Sequence, residues 1–392
     1  TPGFISSSLA LPVDSVSLKS MALQIFRDLA AFHSPDADPR ALIDTELKRF
    51  AFVHENYVAG DRDSLYTEAL RRFEKTHLAS PWSTDISYVL AGFLRNQGQL
   101  YNPLAGDRHK WDLRSAAGVC EDAAKRFPKS EGAINCGILE KEIKKPSLAI
   151  TAGSAVPVEK PSPALLHFTN VDHLWFRLVR ANPAIYTERS SNNRTEDFFR
   201  YLASLPAVKS WSLPLPSDGD YQDHSAEIAL PPVQAGFYVL ICSTDEKFLD
   251  VKRDFCMTPF WATQISYITR RGEDGSLACF VLDRETGLPV KNAQVQVWVK
   301  NWDYRNRSYA EQKQQDLTAD DQGFVSIPAP DSHSANRNIY FKIFAGPDTL
   351  NTDNFYQYPS YRTPETSVFL TRFYTDRAIY RPGQVICFKG IT

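Results

Sequence analysis

The sequence predicts a multidomain chain, α then β: a helical N-terminal domain followed by antiparallel β-sandwiches. Three observations carry this. Up to residue 143, apolar residues recur at helical spacing in segments that open on Ser, Thr or Asp. From Lys144-Lys145-Pro146 onward the segments shorten, alternate with period two and are punctuated by Asp, Asn, Gly and Pro turns. The chain also holds 7 Trp, 17 Tyr and 24 Phe, with 25 Pro against 18 Gly, a balance suited to strands and loops. With 392 residues there is room for several domains.

Residues 1–143 divide into six helical segments. Ser17 to Phe32 sets Leu18, Met21, Ala22, Ile25, Phe26, Leu29 and Phe32 on one face. Asp38-Pro39 reads as the N-cap and first-turn proline of a helix running toward Tyr57. Asp61 to Leu78 forms a third helix on Leu65, Ala69, Leu70 and Phe73. Ser83-Thr84-Asp85 is expected to cap a fourth, which carries Ile86, Val89, Leu90, Phe93 and Leu94. A fifth runs from about Asp107 to Phe127, and Ser130 caps a sixth that ends near Ile143. No strand is expected before Leu148. The turns Pro81-Trp82-Ser83 and Pro128-Lys129-Ser130 lie 47 residues apart, each after an Ala-bearing helix (Ala69, Ala116). This is loosely similar to the stacked hairpins of tetratricopeptide-type repeats, with a longer period; an irregular bundle is the equal alternative.

Residues 144–258 read as one sandwich. Leu165 to Leu178 holds two short strands around Asn170-Val171-Asp172, Ala235 to Ser243 is a buried strand, and Phe248 to Thr258 returns antiparallel to it. Between them, Asn193 to Leu205 reads as a helical insertion on Phe198, Phe199, Tyr201, Leu202 and Leu205. Residues 259–368 form a second sandwich, with strands at Gln264–Thr269, Ser276–Asp283, Phe324–Ile327 and Asn338–Phe344. In it, Ala293, Val295, Val297 and Val299 occupy every second position. Residues 369–392 begin a further β unit around Arg381-Pro382-Gly383-Gln384, where Pro then Gly suits a type II turn. Two strands do not fold alone, so the rest of that unit is expected from a longer chain. Thr1 likewise opens without a basic, apolar leader, as in a processed or excised piece.

Chemistry is sparse. Lys plus Arg is 44 against 46 Asp plus Glu, a net charge of −2 that offers no basic surface to nucleic acid or an anionic membrane. No apolar run nears the ~20 residues of a membrane helix. The cysteines at 120, 136, 242, 256, 279 and 387 form no C-x-x-C, which argues against a zinc ribbon or redox motif. Cys242 and Cys256 flank one loop and could face each other, as buried thiols or as a disulfide. His54-Glu55 opens like a zinc-binding H-E-x-x-H, but position 58 is Val. His167 and His173 are read as an ordinary pair on adjacent strands. No G-x-S-x-G, P-loop or G-x-G-x-x-G occurs. No catalytic residue, cofactor or metal is therefore expected. Trp298, Trp302, Tyr304 and Tyr309 suit either a sugar-stacking platform or interface packing. Asn193-Arg194-Thr195 and Asn306-Arg307-Ser308 match glycosylation sequons, which also arise by chance.

One stretch is specific. Tyr374-Thr375-Asp376-Arg377-Ala378-Ile379-Tyr380-Arg381-Pro382-Gly383-Gln384-Val385 resembles the entry motif of a macroglobulin domain in the alpha-2-macroglobulin family. Ahead of it, Asp283-Arg284-Glu285-Thr286-Gly287-Leu288-Pro289-Val290 and Asp320-Asp321-Gln322-Gly323-Phe324 resemble the preceding domain of bacterial members. The resemblance implies two macroglobulin-like domains (144–258 and 259–368) and the start of another (369–392), behind a helical N-terminal region. It implies a non-enzymatic scaffold fragment of a protease-trapping envelope protein. That protein would be periplasmic or anchored in the cell envelope, with an extracellular location as the alternative. Target proteases would be met through the full-length protein, whose bait region and any thioester lie outside this chain. Cys136-Gly137 starts like a thioester site but continues Ile138-Leu139-Glu140-Lys141, without the needed Gln. Membrane contact would come only through an anchor upstream. Asp376, Arg377, Tyr380, Arg381, Pro382 and Gly383 are the structural motif: Pro382-Gly383 sets the turn, while Arg377 and Arg381 bind the Asp376 carboxylate or carbonyls of a neighbouring strand. The alternative function is an extracellular or periplasmic binding module, with helical repeats that dock protein and an aromatic-rich sandwich that binds glycan.

Overall fold

The computed structural model describes residues 2–6, 17–190, 195–250, 254–303, 308–330, 337–357 and 370–392. Tyr304, both sequon asparagines and the boundary near residue 368 lie outside them. Helices come first: α1 (Pro2–Ser6), α2 (Leu18–His33), α3 (Arg40–Asn56), α4 (Arg62–Thr76), α5 (Ser83–Gly98), α6 (Asp112–Arg126) and α7 (Glu131–Ile143). Strands follow. The chain divides into two compact units, Thr1–Pro146 with Pro216–Asp223, and Ser147–Leu215 with His224–Thr392.

In the helical unit, Ser17 and Ser130 cap α2 and α7, accepting from the amides of Ser20 and Ala133 at 3.4 Å each. Three expected starts differ. Pro39 sits at the N-cap of α3, and Asp38 Oδ1 accepts from Arg40 N. Residues 107–111 turn through His109 at φ 69°, so α6 begins only at Asp112. Ser83 and Thr84 do not cap α5 but lie buried inside its first turn. The core joins Ile43, Leu70, Phe73, Ile86, Leu90 and Leu94 to Ala116, Cys120, Ala123, Cys136 and Leu139. Small residues bring backbones close here: a Cβ on Gly132 would stand 2.3 Å from the Thr84 carbonyl carbon.

A polar network threads this core. Glu74 Oε1 accepts from Arg126 Nη2 and from Ser87 Oγ, each at 2.5 Å, and Arg126 Nη1 donates to Ser83 Oγ at 3.2 Å. The hydroxyls of Thr84 and Ser130 meet at 2.8 Å. The 216–223 segment belongs to the same unit. Gln222 Nε2 donates to the carbonyls of Gly98, His109 and Lys110, and Asp218 pairs with Lys110 at 2.7 Å. By contrast, the apolar stripe of α2 is open: Leu18 is 80% and Phe32 73% exposed, and only Ala30 is buried.

The second unit starts at β1 (Ser147–Ala152), one residue ahead of expectation, followed by β2 (Ala155–Val156), β3 (Ser162–Thr169) and β4 (His173–Arg180). Helices α8 (Pro183–Ser190) and α9 (Thr195–Ser204) intervene before β5 (Ala207–Pro214), β6 (His224–Leu230), β7 (Gly236–Ser243) and β8 (Phe255–Ala262). A sheet of order β1-β3-β6 faces one of order β2-β8-β7-β4-β5, all antiparallel except β2 with β8. Leu166, Phe168, Phe176, Leu178, Leu240 and Phe260 fill the space between. On the other face of the larger sheet, α9 lays Phe198, Phe199 and Leu202 against Val239 and Ile241. β7 is thus buried on both faces, which is why it reads as an unbroken apolar run. β3 and β4 lie in different sheets, so His167 and His173 are not neighbours on paired strands.

The next sandwich is built from β9 (Ile265–Arg271), β10 (Leu277–Asp283), β11 (Gln294–Asp303), β12 (Ser308–Thr318), β13 (Phe324–Ile327), β14 (Arg337–Ala345), β15 (Asp348–Asn351) and β16 (Phe355–Gln357). A sheet of order β13-β10-β9 faces β12-β11-β14-β15, with β16 also on β14. Val281, Val295, Val297, Phe341 and Ile343 form its centre. Last, β17 (Arg372–Thr375) pairs with β18 (Phe388–Ile391) as a two-stranded sheet.

The close approach at Gly132 makes a stability test. Gly132→Ala drives a methyl into the backbone of α5 and is expected to cost about 1–3 kcal/mol. Gly137→Ala, on the same helix with open space around the added Cβ, should gain up to about 1 kcal/mol of helix propensity. Urea denaturation of both variants checks this, and equal stability would refute the packing at Gly132.

Candidate functional site

Only Thr263 and Gln264 separate β8 from β9, and this short joint is held from both sides. Arg284, in the turn after β10, donates from Nε to Thr263 O at 2.9 Å, from Nη2 to Ile265 O at 2.7 Å and from Nη1 to Ala155 O at 3.4 Å. Asp348 Oδ2 accepts from Thr263 Oγ1 at 2.9 Å and from Gln264 N at 2.8 Å. Burial pulls the Arg284 guanidinium below its usual pKa, and the Asp348 charge opposes that pull.

The turn that presents Arg284 follows from its sequence. Asp283 Oδ1 accepts from the amides of Glu285 and Thr286 and from Thr286 Oγ1, at 3.1, 2.8 and 2.8 Å. The Thr286 bonds hold this carboxyl below the usual range. Gly287 takes φ 70°, and Leu288 O closes the loop on Asp283 N. The second turn is made alike: Asp320 Oδ1 accepts from Gln322 N and Phe324 N, and Gly323 takes φ 68°. Val281 N donates to Gly323 O at 2.7 Å, and Val290 N to Val281 O at 2.9 Å. The D-x-x-T-G and D-x-x-G stretches are therefore one piece of structure, both fastened to β10.

A groove of about 980 Å³ opens beside the joint, lined by Ala155, Lys160, Glu227, Tyr267, Arg284 and Glu285 and by Thr375–Ile379 of the last hairpin. The two sequence motifs thus meet at one place. In the hairpin, Asp376 Oδ1 accepts from Tyr380 Oη at 2.5 Å and from Cys387 N at 3.1 Å, while Asp376 N donates to Cys387 O. Tyr380 Oη also accepts from Arg377 N at 3.1 Å. Gly383 has φ 85° and Gln384 N donates to Arg381 O, which with Pro382 before the glycine is the geometry of a type II turn. Arg377 Nε lies 3.6 Å from Asp376 Oδ2. Arg381 departs from expectation: the turn sets its Nε 3.1 Å from the Glu227 carboxylate on the neighbouring β6, rather than on Asp376 or a strand carbonyl. Lys160 pairs with Glu285 at 2.5 Å. Burial pushes the Tyr267 phenol up to about 12. The charges that line the groove are spent on one another and on carbonyls, and no nucleophile–base pair stands among its lining residues.

Other candidates resolve into packing. His54 Nε2 meets Asp63 Oδ1 at 2.7 Å between the rings of Tyr66 and Phe93, and that bond holds the Asp63 carboxyl below its usual range. His167 bonds Ser225, and His173 lies on Trp175. Cys136 is a core residue of α7. Trp298 is covered by Lys342, whose Nζ lies 3.7 Å from the ring centroid, and the buried Tyr340 donates to Glu311. Trp302 and Tyr309 are 44% and 50% exposed, but their rings cross at 72° and make no coplanar platform. Sequence reading missed the roles of Arg284 and Asp348. The signal for Arg284 was present, as a basic residue inside a turn motif; for Asp348 there was none.

No family model and no curated protein matches this chain. Among solved structures, it resembles the CARDB domain of the PF1109 protein from Pyrococcus furiosus, in complex with di-metal ions. The identity is 14% over 30% of this chain and 92% of that one, with a TM-score of 0.19. The solution structure of the same domain aligns at 15% identity over 30% of this chain and 93% of that one, with a TM-score of 0.17. Likeness at this level bears on neither fold nor function. Among the described residues, no helix is long and apolar enough to cross a membrane.

Two outcomes follow from the joint and the hairpin. Arg284→Met leaves three carbonyls without their donor. It should cost about 1–3 kcal/mol in denaturant unfolding and open the 263–264 joint to limited proteolysis. Arg284→Lys should not rescue it, since an ammonium lacks the planar fork; a wild-type cleavage pattern in the Met variant would refute the clamp.

The Tyr380 hydroxyl holds the Asp376 carboxyl below its usual range. A depressed folded value means that the turn gains stability above the unfolded aspartate value of about 3.9, and loses it as pH falls through the lower folded value. The Cys387 amide resonance should titrate with a midpoint below ~3.9 and stay flat in Asp376→Asn. A midpoint at or above the ordinary value would contradict the Tyr380–Asp376 bond.

Proposed function

We propose that this chain is a non-enzymatic scaffold segment of a bacterial alpha-2-macroglobulin-like, protease-trapping protein of the cell envelope. One observation carries the reading: Arg284, Asp283, Asp320 and Asp376, the central polar residues of the motifs, bond the chain's own backbone. Arg284 serves the joint, Asp283 and Asp320 serve their turns, and Asp376 with Tyr380 serves the hairpin. A scaffold that positions neighbouring domains needs this, whereas a catalytic site needs groups left available to a substrate.

The two β-sandwiches are read as macroglobulin-like, with the hairpin as the entry of the next domain. The helical unit is read as stacked hairpins, α4 with α5 and α6 with α7. Contacts recur at nearly constant offset, Thr84 with Ser130 and Arg95 with Glu142, as repeats in register would give. Target proteases would be engaged by parts of the protein beyond this chain, in a periplasmic or envelope setting. The glycan-binding alternative has less support, since its rings are covered or crossed.

Titration of the purified chain against serine, cysteine, aspartic and metalloproteases tests the reading. No stoichiometric inhibition and no covalent capture is expected, because the chain supplies neither bait nor cage. One-to-one inhibition of any class would overturn the scaffold assignment. Glycan binding lost in Trp302→Ala would transfer the function to the binding-module alternative.

A further inference from the structure

Four of the six cysteines lie in two facing pairs. Cys120 of α6 and Cys136 of α7 stand at matching heights of a helix hairpin. The first lies six residues before Arg126, where α6 ends, and the second five residues after Glu131, where α7 begins. Both are wholly buried in one core, on helices packed directly against each other. Cys242 of β7 and Cys256 of β8 are register partners. Directly opposed residues of antiparallel strands have Cα atoms about 4.5–5.5 Å apart and share a face of the sheet. A disulfide spans about 4.4–6.8 Å between Cα atoms. Cys242 belongs to the first sandwich core and Cys256 packs against that same core. The remaining two differ: Cys279 is buried opposite Val325 and Thr269, and Cys387 is exposed on the last hairpin.

We infer that Cys120–Cys136 and Cys242–Cys256 are two disulfide sites, closed when the chain folds in the presence of a thiol–disulfide oxidant, while Cys279 and Cys387 stay thiols. At each site the two thiols give up two protons and two electrons. One S–S bond forms in the chain, and the oxidant's S–S bond breaks to leave two thiols. Sequence spacing pointed to Cys242 and Cys256 only; the Cys120–Cys136 pair needs the helix hairpin to become visible. In the closed fold these thiols are poor nucleophiles: contact with Cys136 pushes Cys120 up, and burial pushes Cys242 up. The bonds therefore form while the cores are still open, and the folded, reduced chain resists oxidation.

The test compares the chain produced in a reducing cytosol with the chain exported to an oxidising compartment. Each is alkylated without reduction, digested and mapped by mass spectrometry. The exported chain should yield Cys120–Cys136 and Cys242–Cys256 linked peptides, with Cys279 and Cys387 alkylated. The cytosolic chain should yield no linked peptide, and in its native state only Cys387 should alkylate fast. Each pair is decided separately: a free thiol at either member in the exported chain, or any other partner, overturns that site. Dithiothreitol should lower the urea midpoint of the exported chain and leave unchanged that of a variant with all four residues replaced by Ala. An unchanged midpoint in the exported chain would overturn the claim that the bonds span native contacts.

Discussion

Three backbone carbonyls, those of Thr263, Ile265 and Ala155, share one guanidinium, and the arrangement of the strand-rich unit hangs on it. A joint of two residues lets the core run on without interruption. The cluster that starts under α9 at Phe198 and Phe199 continues through Trp261 and Ile265 to Val295, Val297 and Phe341 in the next sandwich. Continuity of that kind leaves the joint's carbonyls away from bulk water, where each needs a donor. Arginine suits the task because its donors form a rigid planar fork and its charge is kept even when burial disfavours it. A turn rather than a strand must carry it, since only a turn can aim a side chain back along the edge it has just left. Hence Asp283, Thr286 and Gly287 surround it, each with a backbone duty of its own.

The helical unit solves the opposite problem. Its helices are rich in alanine and glycine where they meet, so apolar contact alone would tolerate sliding along the helix axes. Glu74, Ser83, Ser87 and Arg126 remove that freedom, because their bonds link α4, α5 and α6 at one relative height only. A half-buried network of this sort adds little net stability compared with an apolar contact of the same shape. Its effect is on register: a slip of one residue would part the carboxylate from the guanidinium and leave the buried hydroxyls of Ser83 and Ser87 without these partners.

Legibility in the sequence tracked how local each determinant is. β7 and β11 could be read directly, since burial on both faces or strict alternation leaves its mark in consecutive residues. The turns at Asp283 and Asp320 were equally plain, being made by side chains that bond their own backbone. β5 and β12 were not seen, because edge strands such as Ser308–Thr318 carry Glu, Gln and Lys in place of an alternating apolar set. Ser83 and Thr84 looked like caps and are network members. Nothing in a single sequence tells a hydroxyl that caps from one that meets an arginine 43 residues away. The same distance problem hid Asp348, which acts on a joint 84 residues upstream in the chain. His167 and His173 misled for a different reason: a three-residue turn suggests a hairpin, but here it passes the chain from one sheet to the other.

The last hairpin joins these themes. Phe373, Val385 and Phe388 are exposed, so β17 and β18 collect little of the roughly 1.5–3 kcal/mol that burying each such side chain would bring. What organises the turn is instead polar and close at hand. Asp376 reaches Tyr380 and Cys387, Arg377 N reaches Tyr380, and Gly383 supplies the left-handed residue that the turn requires. A turn whose organising bonds close within about a dozen residues keeps its shape whether or not its apolar face is covered. That independence explains why the T-D-R…Y-R-P-G stretch is so recognisable as sequence. Asp376, Arg377, Tyr380 and Gly383 answer to neighbours within about a dozen positions, whereas Arg381 reaches out to Glu227 on β6.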